Sequence, residues 1–391
     1  MLVQSRVYDA MASPANALPF SHYRYIHDTA LPLPAGLPTS FKSPKSWTGS
    51  DYANDNSYIL MLSQNDVKEI DKALAHMNAS ELPNGIDSIS PATFPLPLLG
   101  PKLSGLGDEL YKGRGFGLIR GLDVNKYTIE DRSAIWLGLQ SYVASLRARQ
   151  DKAGNMMAHI VADNSSVIKA AHHRHSASSI FNLADGQTFH NEESGDIASW
   201  LTCSTAASGG RCIIASVETI FNAIAANFPE MIGTLMKDDW PFALPHFQLR
   251  PIMYYHNNQL IINFNRTALM GSASHPRSKD LPSLTADQVA ALNVIEAFAK
   301  ANQLEIHTQP GDIHMINNLC LLHRRDAFVD GGDPSTRRHL IRMRLRCHKR
   351  GLELPIELQD EWRQAFEDKG DRLWHLMPMP DGFYPLRLYS N

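Results

Sequence analysis

The pattern with the clearest chemistry in this sequence is the pair His190 and Glu192 in the segment TFHNEES. In an extended chain residues i and i+2 point to the same side, so one imidazole nitrogen and one carboxylate oxygen can reach the same ion. The spacing predicts part of a metal site at the end of a strand. The pair alone is a weak signal, because a chain with 17 histidines contains several by chance. A solvated surface turn is the alternative interpretation.

A third ligand is available about 130 residues later, where His323 lies in the segment LLHRRDAF. Two histidines and one carboxylate on one face of a metal leave three coordination positions open. That arrangement suits non-haem Fe(II), which needs vacant positions for a chelating co-substrate and for O₂. The three residues together therefore indicate a redox-active iron centre.

Two arginines strengthen this interpretation. Arg338 and Arg342 stand four residues apart on a predicted strand, on one face, where apolar residues are expected. A buried guanidinium is costly unless it meets a carboxylate, which its fork geometry matches bidentately. The pair predicts an anion-binding pocket, and a salt-bridged barrel rim is the alternative.

Several elements must position these residues. A capping-box-like Ser63 and Asp66 begin an amphipathic helix, and the pair Thr285 and Gln288 begins another. Strands are predicted at 115–122, 212–215, 311–316 and 339–345, and a hairpin turn at Asn257-Asn258. Short strands concentrated in the C-terminal half, with helices between them, favour a β-rich barrel or sandwich with helices packed outside, which is a mainly β, α+β class.

Composition limits the alternatives. The chain has 391 residues with 37 Lys plus Arg and 40 Asp plus Glu, so it carries no general basic field for nucleic acid or anionic membranes. Four cysteines without C-x-x-C spacing argue against a disulfide scaffold and a structural zinc module. No apolar stretch approaches the length of a membrane span, and the first 20 residues make a poor secretory signal. We expect a cytoplasmic protein without nucleic-acid or membrane partners, with homo-oligomerisation open.

Other candidates are weaker. The run containing His172, His173 and His175 lacks a partner carboxylate or cysteine at ligand spacing and is interpreted as a loop. Asp196, four residues beyond Glu192, could compete as the carboxylate ligand, and its spacing makes it the less suitable candidate. His314 is interpreted as a core histidine.

Taken together, these segments resemble the taurine/2-oxoglutarate-dependent dioxygenase (TauD/TfdA) family, particularly its fungal-type members. The similarity covers residues 47–347, most of the chain. It runs through these segments: SWTGSDY, GFGLIRGLDVNKYT, TFHNEES, SGGRCIIAS, PGDIHMINN, LLHRRDAF and RRHLIRMRL.

The resemblance implies a double-stranded β-helix (jelly-roll) core in which His190, Glu192 and His323 hold Fe(II). It implies that 2-oxoglutarate chelates the iron, that Arg338 anchors its distal carboxylate, and that Arg342 holds an anionic group of the substrate. Two positions depart from the family pattern. Glu192 stands where aspartate is usual, and Cys212, a weak donor, stands where Ser or Thr commonly assists Arg338.

Two further residues are assigned to the substrate pocket because they flank the arginine strand. They are Met343 and Leu345, and ordinary packing is the alternative for both. The chain is expected to be a single catalytic domain over 1–391. Its expected parts are an extended arm (1–58), a helical and Pro-rich lead-in (59–110), the core (111–350) with a helical insertion near 285–304, and a C-terminal extension (351–391).

The predicted function is that of an Fe(II)/2-oxoglutarate-dependent oxygenase. It would abstract hydrogen from a small carboxylate-bearing substrate, an amino acid or a derivative, and hydroxylate it with succinate and CO₂ as co-products. Oxidative cyclisation, desaturation or C–N bond formation on the same scaffold is one alternative. A non-catalytic jelly-roll protein that binds a small anion is another.

Overall fold

The centre of the molecule is a pair of β-sheets whose inner faces pack against each other. The computed structural model describes residues 33–161, 188–271, 276–367 and 370–377. The strands, in chain order, are β1 (Ile59–Met61), β2 (Phe116–Arg120), β3 (Leu146–Arg147), β4 (Ala158–Val161), β5 (Ile197–Ser204), β6 (Ser208–Gly209), β7 (Cys212–Ser216), β8 (Pro241–Phe242), β9 (Gln248–Leu249), β10 (Met253–His256), β11 (Gln259–Ile262), β12 (Leu304–Ile306), β13 (Ile313–Asn317), β14 (Leu321–Arg325), β15 (Phe328–Val329) and β16 (His339–Arg346).

Helices cover the outer face of each sheet. In chain order they are α1 (Gln64–Asn78), α2 (Leu99–Tyr111), α3 (Ile129–Val143), α4 (Val217–Asn227), α5 (Pro229–Leu235), α6 (Arg266–Met270), α7 (Ala286–Asn302) and α8 (Ile356–Phe366). Strands and helices in one mixed arrangement confirm the predicted α+β class.

The larger sheet has the order β1-β2-β13-β5-β16-β3, and β4 pairs with β16 beyond one end of β3. Only the β1 and β2 pairing is parallel among the ladders of the described residues. The smaller sheet has the order β12-β7-β14 and is antiparallel. The long strands β5 and β16 lie side by side, with Trp200 opposite Arg342.

Alternation along these strands separates two cores. On the larger sheet, one face packs against helices α1, α2 and α3 through Leu201, Ile341 and Met343. The opposite face contributes Ala198 and Leu340 to a second core. The smaller sheet supplies the other half of that inter-sheet core through these residues: Cys212, Ile214, Leu304, Ile306 and Leu321. A period of two thus assigns each side chain to a helix-facing or a sheet-facing layer.

Local signals in the sequence form the expected caps and turns. Ser63 caps α1 and forms a reciprocal capping box with Asp66. Thr285 and Gln288 do the same for α7. The hairpin between β10 and β11 turns at Asn257 and Asn258, whose φ values of 48° and 60° are left-handed conformations that asparagine tolerates.

Segments at both ends of the described chain pack on this core. Phe41 lies edge-on against Phe221 with ring centroids 4.9 Å apart, and its backbone exchanges hydrogen bonds with the Asn222 side chain. In α8, Glu361 forms a buried ion pair with Arg250 at 2.9 Å. None of the helices in the described residues is long and apolar enough to cross a membrane. The histidines His172, His173 and His175 lie outside the described residues.

One buried carboxyl group lies in the helix-facing core. Asp196 is fully buried, and its Oδ2 accepts hydrogen bonds from the Tyr111 hydroxyl at 2.9 Å and the Cys347 amide at 3.2 Å. Its Oδ1 has no hydrogen-bond partner within residues 33–161, 188–271, 276–367 and 370–377. Burial raises the pKa of Asp196 from 3.8 to about 6. This carboxyl is therefore a structural group, and it does not line the cavity between the two sheets.

The raised pKa makes Asp196 a source of pH-dependent stability. As pH rises from about 4 to about 6, the unfolded chain loses this proton while the folded chain retains it, so the free energy of unfolding falls. In Asp196→Asn the amide oxygen still accepts both hydrogen bonds without a charge. We expect its free energy of unfolding at pH 7.5 to exceed wild type by on the order of 2–3 kcal/mol.

Urea denaturation at pH 4.5 and 7.5 measures this effect. The difference between Asp196→Asn and wild type should shrink at the lower pH. The exposed Asp238 provides the control, because Asp238→Asn should follow the wild-type pH dependence. An Asp196→Asn variant less stable than wild type at both pH values would contradict the assignment.

Candidate active site

A cavity of about 460 Å³ opens between the two sheets. Inward-facing residues of β5, β7, β14 and β16 line it, together with the connection from β5 to β7. The lining includes His190, Glu192, Trp200, Thr202, Cys212, His323, Arg325, Arg338 and Arg342.

Two backbone hydrogen bonds bring the first pair of candidate ligands together. The His190 amide donates to the His323 carbonyl at 3.0 Å, and the His323 amide donates to the His190 carbonyl at 3.1 Å. The two residues thus form a hydrogen-bonded antiparallel pair, in which directly opposite side chains project from the same face. Their ring centroids are 4.3 Å apart.

Two asparagine side chains hold the segment that carries Glu192. Asn318 Oδ1 accepts the Glu192 amide at 2.8 Å, and its Nδ2 donates to the carbonyls of Glu192 and Gly195. Asn191 donates to the carbonyls of Asn318 and Leu321 at 2.6 and 2.9 Å. These bonds replace a regular strand ladder, so Glu192 is fixed beside the two histidines by side-chain amides.

The side chains of His190, Glu192 and His323 together suit a divalent metal. One ligand atom from each of His190, Glu192 and His323 lies within 4.8 Å of the others, and His323 Nε2 is 3.6 Å from Glu192 Oε1. His190 Nδ1 is 2.9 Å from the Thr188 carbonyl, which only accepts, so Nδ1 carries hydrogen and Nε2 keeps its lone pair. Burial and the neighbouring His323 lower the pKa of His190 to about 4, so its ring is neutral at pH 7. A neutral imidazole is the form that binds metal.

Arg342 lies beside this cluster. Its Nη1 donates a charge-assisted hydrogen bond to Glu192 Oε1. Both side chains are largely buried, with relative exposures of 10% and 4%. The sequence predicted that Arg342 faces a substrate anion, and the structure adds a contact with a candidate metal ligand.

Arg338 occupies a different part of the cavity. Its side chain packs over Phe328, 5.5 Å from the ring centroid, and the residue is 8% exposed. Within the described residues its guanidinium has no hydrogen bond and no carboxylate at ion-pair distance. Burial and the neighbouring Arg325 lower the pKa of Arg338 to about 9, which still leaves it charged at pH 7. Gly210 allows this packing, since a Cβ there would lie 3.0 Å from Arg338 Cδ.

The assignment of Met343 and Leu345 to the substrate pocket is corrected by the structure. Both are fully buried in the core between the larger sheet and the helices, and neither lines the cavity. The reason is strand alternation: Arg338, Leu340 and Arg342 face the cavity, so odd-numbered neighbours on this strand face the helices.

The structure also shows where His314, Cys212 and Asp196 lie relative to the cavity. His314 is buried and stacks on Trp200 with centroids 5.2 Å apart, outside the cavity lining, as expected of a core histidine. Cys212 does line the cavity, and burial raises the pKa of its thiol to about 12, so it remains protonated. Asp196 is engaged in the core.

Sequence reasoning missed several residues of the site. Asn191 and Asn318 gave no signal, because their role depends on a contact between distant segments. Thr202 lines the cavity with a buried hydroxyl for which the described part of the chain offers no hydrogen-bond partner. Arg325 also lines it, and its spacing of two from His323 was a usable signal, since i and i+2 share a strand face.

The charge of the cavity lining is unbalanced. Among the residues that the structure describes, five arginines line it against two carboxylates. The arginines are Arg211, Arg324, Arg325, Arg338 and Arg342, and the carboxylates are Glu192 and Asp326. A metal cation would raise this excess further. The cavity is therefore electrostatically suited to anionic ligands.

Comparisons with known proteins agree with this geometry. The sequence profile of the taurine catabolism dioxygenase TauD, TfdA family matches residues 78–344, more than half of the chain. Taurine hydroxylase-like protein SAT17 of Stachybotrys chartarum is 29% identical over 343 residues, covering 86% of this chain and 88% of that protein. FR-33289 synthase of Streptomyces rubellomurinus is 22% identical over 328 residues, covering 80% and 91%.

Solved structures share the fold at lower identity. A crystal structure of asparagine oxygenase with Fe(II), 2S,3S-3-hydroxyasparagine and succinate has a TM-score of 0.57 at 15% identity, covering 74% of this chain and 93% of that one. The non-heme iron oxygenase OrfP with Fe and alpha-ketoglutaric acid has a TM-score of 0.55 at 13% identity, covering 74% and 93%. The chain therefore belongs to the TauD/TfdA family of dioxygenases.

Proposed function

We propose that this dioxygenase hydroxylates a small carboxylate-bearing substrate, an amino acid or an amino-acid derivative. The observation that carries the proposal is the His190, Glu192 and His323 donor cluster in a cavity whose lining has five arginines and two carboxylates. The cluster supplies a metal site, and the excess positive charge suits two anions, the co-substrate and the substrate. We also propose that the two facing sheets form the core of a double-stranded β-helix within a single catalytic domain.

His190, Glu192 and His323 would hold the iron on one face. Bound Fe(II) supplies the redox chemistry, in which O₂ and 2-oxoglutarate give succinate and CO₂ and a substrate C–H bond is oxidised. The protein positions the reactants. The Thr188 carbonyl orients the His190 ring, and the Asn318 amide fixes the backbone of Glu192.

Arg338 is proposed to anchor the distal carboxylate of 2-oxoglutarate. The supporting observation is a guanidinium, 8% exposed, that lines the cavity and lies beside Phe328 without a carboxylate at ion-pair distance in the described residues. A buried cation of this kind is stabilised when a carboxylate enters. Such a contact fixes the co-substrate at the end remote from the iron.

Arg342 is proposed to hold the substrate carboxylate. A guanidinium has five N–H donors, so the bond to Glu192 does not exhaust its capacity. In this arrangement one residue touches both a metal ligand and the substrate. The oxidised carbon would then lie a few bonds from the carboxylate that Arg342 holds.

The amino-acid class is supported by the relatives. Asparagine oxygenase was solved with 3-hydroxyasparagine, and OrfP was solved with L-Arg and with (3S)-hydroxy-L-Arg. One sequence relative is named a taurine hydroxylase-like protein and another a synthase. The synthase is a reason to test cyclisation and desaturation as alternative outcomes of the same C–H oxidation.

Formation of succinate and of an oxidised product tests the proposed reaction. Anaerobically purified protein supplied with Fe(II), 2-oxoglutarate and O₂ should form succinate, and an added substrate should raise the rate above the uncoupled background. We expect the stimulating compound among the amino acids or their carboxylate-bearing derivatives. The product mass should increase by one oxygen atom. Succinate that no compound in this panel stimulates would contradict the substrate class, and a loss of two hydrogens would favour desaturation or cyclisation.

The visible spectrum of the iron complex tests the proposed metal ligands. Without O₂, the wild-type protein with Fe(II) and 2-oxoglutarate should show the weak visible charge-transfer band of the chelated complex. His190→Ala and His323→Ala should lose the band while keeping a wild-type circular dichroism spectrum, because each removes one of three ligands. His348, an exposed histidine, provides the matched control as His348→Ala. If both ligand variants retain the band, the metal site lies elsewhere.

The KM values for co-substrate and substrate separate the proposed roles of Arg338 and Arg342. Arg338→Met should raise the KM for 2-oxoglutarate more than the KM for the substrate, because it removes the proposed co-substrate anchor. Arg342→Met should do the reverse, and it should also weaken Fe(II) binding through its contact with Glu192. Steady-state kinetics and an Fe(II) titration measure these changes. The opposite KM pattern would exchange the two roles.

A further inference from the structure

A second guanidinium faces the same part of the cavity as Arg338. Arg325 ends β14, two residues after His323, so both side chains project from the face of the strand that lines the cavity. Its partner across the ladder is Cys212 on β7. Arg325 therefore lies on the side of β14 that faces the cavity, two residues beyond a proposed iron ligand.

Arg325 and Arg338 approach the same aromatic ring. Their Cζ atoms lie 4.7 and 5.5 Å from the centroid of Phe328, and each residue is 8% exposed. The Arg325 side chain donates to the Asp326 carbonyl at 2.9 Å. Among the residues that the structure describes, neither guanidinium lies within ion-pair distance of a carboxylate.

The nearby carboxylates are already engaged elsewhere. Asp326 accepts hydrogen bonds from Arg211 through its backbone amide and its Nε. Asp330 accepts the backbone amide of Arg338 at 2.8 Å. Two like charges are thus largely buried beside one aromatic ring, and within the described residues neither has a carboxylate at ion-pair distance. Such an arrangement is costly in the absence of an anion.

We infer that Arg325 is a second cation for the distal carboxylate of 2-oxoglutarate, which it binds together with Arg338. This inference rests on the proposed function and adds a residue that neither the sequence patterns nor the family resemblance assigned. Cys212 gives it a chemical reason. Its thiol lines the cavity but is a weak donor, and Arg325, directly opposite on the ladder, offers strong N–H donors.

A purely structural role for Arg325 makes a different prediction. If Arg325 only stacks on Phe328 and caps the Asp326 carbonyl, its loss disturbs the whole pocket and weakens every ligand alike. If it binds the distal carboxylate, its loss weakens only ligands that carry this group. A pair of 2-oxo acids that differ in this group separates the two roles.

The experiment compares 2-oxoglutarate with 2-oxobutyrate, which retains the metal-chelating end but lacks the distal carboxylate. Dissociation constants are measured without O₂ on the Fe(II)-loaded protein by titrating the charge-transfer band, so no turnover is needed. Wild type should prefer 2-oxoglutarate. Arg325→Met should weaken 2-oxoglutarate binding by about 10- to 100-fold and change 2-oxobutyrate binding by less than about 3-fold.

Two further variants make the result specific. Arg325→Lys keeps a positive charge and should recover part of the preference for 2-oxoglutarate. Arg337→Met removes an exposed arginine next to Arg338 that donates to the Gly332 carbonyl and does not line the cavity, and it should leave the ratio of the two dissociation constants at the wild-type value. Wild-type circular dichroism spectra confirm that each variant is folded.

The outcomes distinguish this inference from the proposed function. If wild type prefers 2-oxoglutarate and Arg325→Met keeps that preference, Arg325 is not a ligand of the carboxylate and the proposed function stands. Equal weakening of both oxo acids by Arg325→Met gives the structural role and also overturns the inference. If wild type itself shows no preference for 2-oxoglutarate, the proposed function falls together with the inference.

Discussion

The site depends on one pair of backbone hydrogen bonds, those that join His190 to His323. These residues are far apart in the chain, and the antiparallel pairing places their imidazoles on one face with centroids 4.3 Å apart. Because directly opposite residues in such a pair share a face, the pairing fixes two of the three candidate ligands. The Asn191 and Asn318 amides then fix Glu192 beside them. The same strand that carries His323 also turns Arg325 toward the cavity.

The second organising feature is electrostatic. The cavity lining has five arginines and two carboxylates, and Arg325 and Arg338 are almost entirely buried. Burying guanidinium groups opposes folding unless anions or hydrogen bonds compensate. Under the proposed function, anions that enter the cavity would compensate part of this cost. A dianionic co-substrate and a carboxylate substrate would offset part of the positive charge that the arginines and the metal carry together.

Arg342 shows how the two features meet. A sequence pattern alone placed it with Arg338 as an anion-binding pair, whereas the structure places one of its N–H groups on Glu192. Arg342 therefore connects the three candidate metal ligands to the part of the cavity that is proposed to bind the substrate. A guanidinium can do this because its donors point in several directions in one plane. Cys212, in contrast, contributes a protonated thiol and little hydrogen bonding.

The sequence by itself determined the local elements and the chemistry of the ligands. Helix caps at Ser63 and Thr285, the turn at Asn257-Asn258 and the H-x-E pair depend on neighbouring residues, so they could be predicted without tertiary contacts. Only the tertiary structure decided which face of each strand lines the cavity. Met343 and Leu345 had suitable residue types, but alternation with Arg342 placed them in the helix-facing core. The roles of Asn318, Thr202 and Arg325 were equally hidden, because each depends on strand pairing between segments that are distant in the chain.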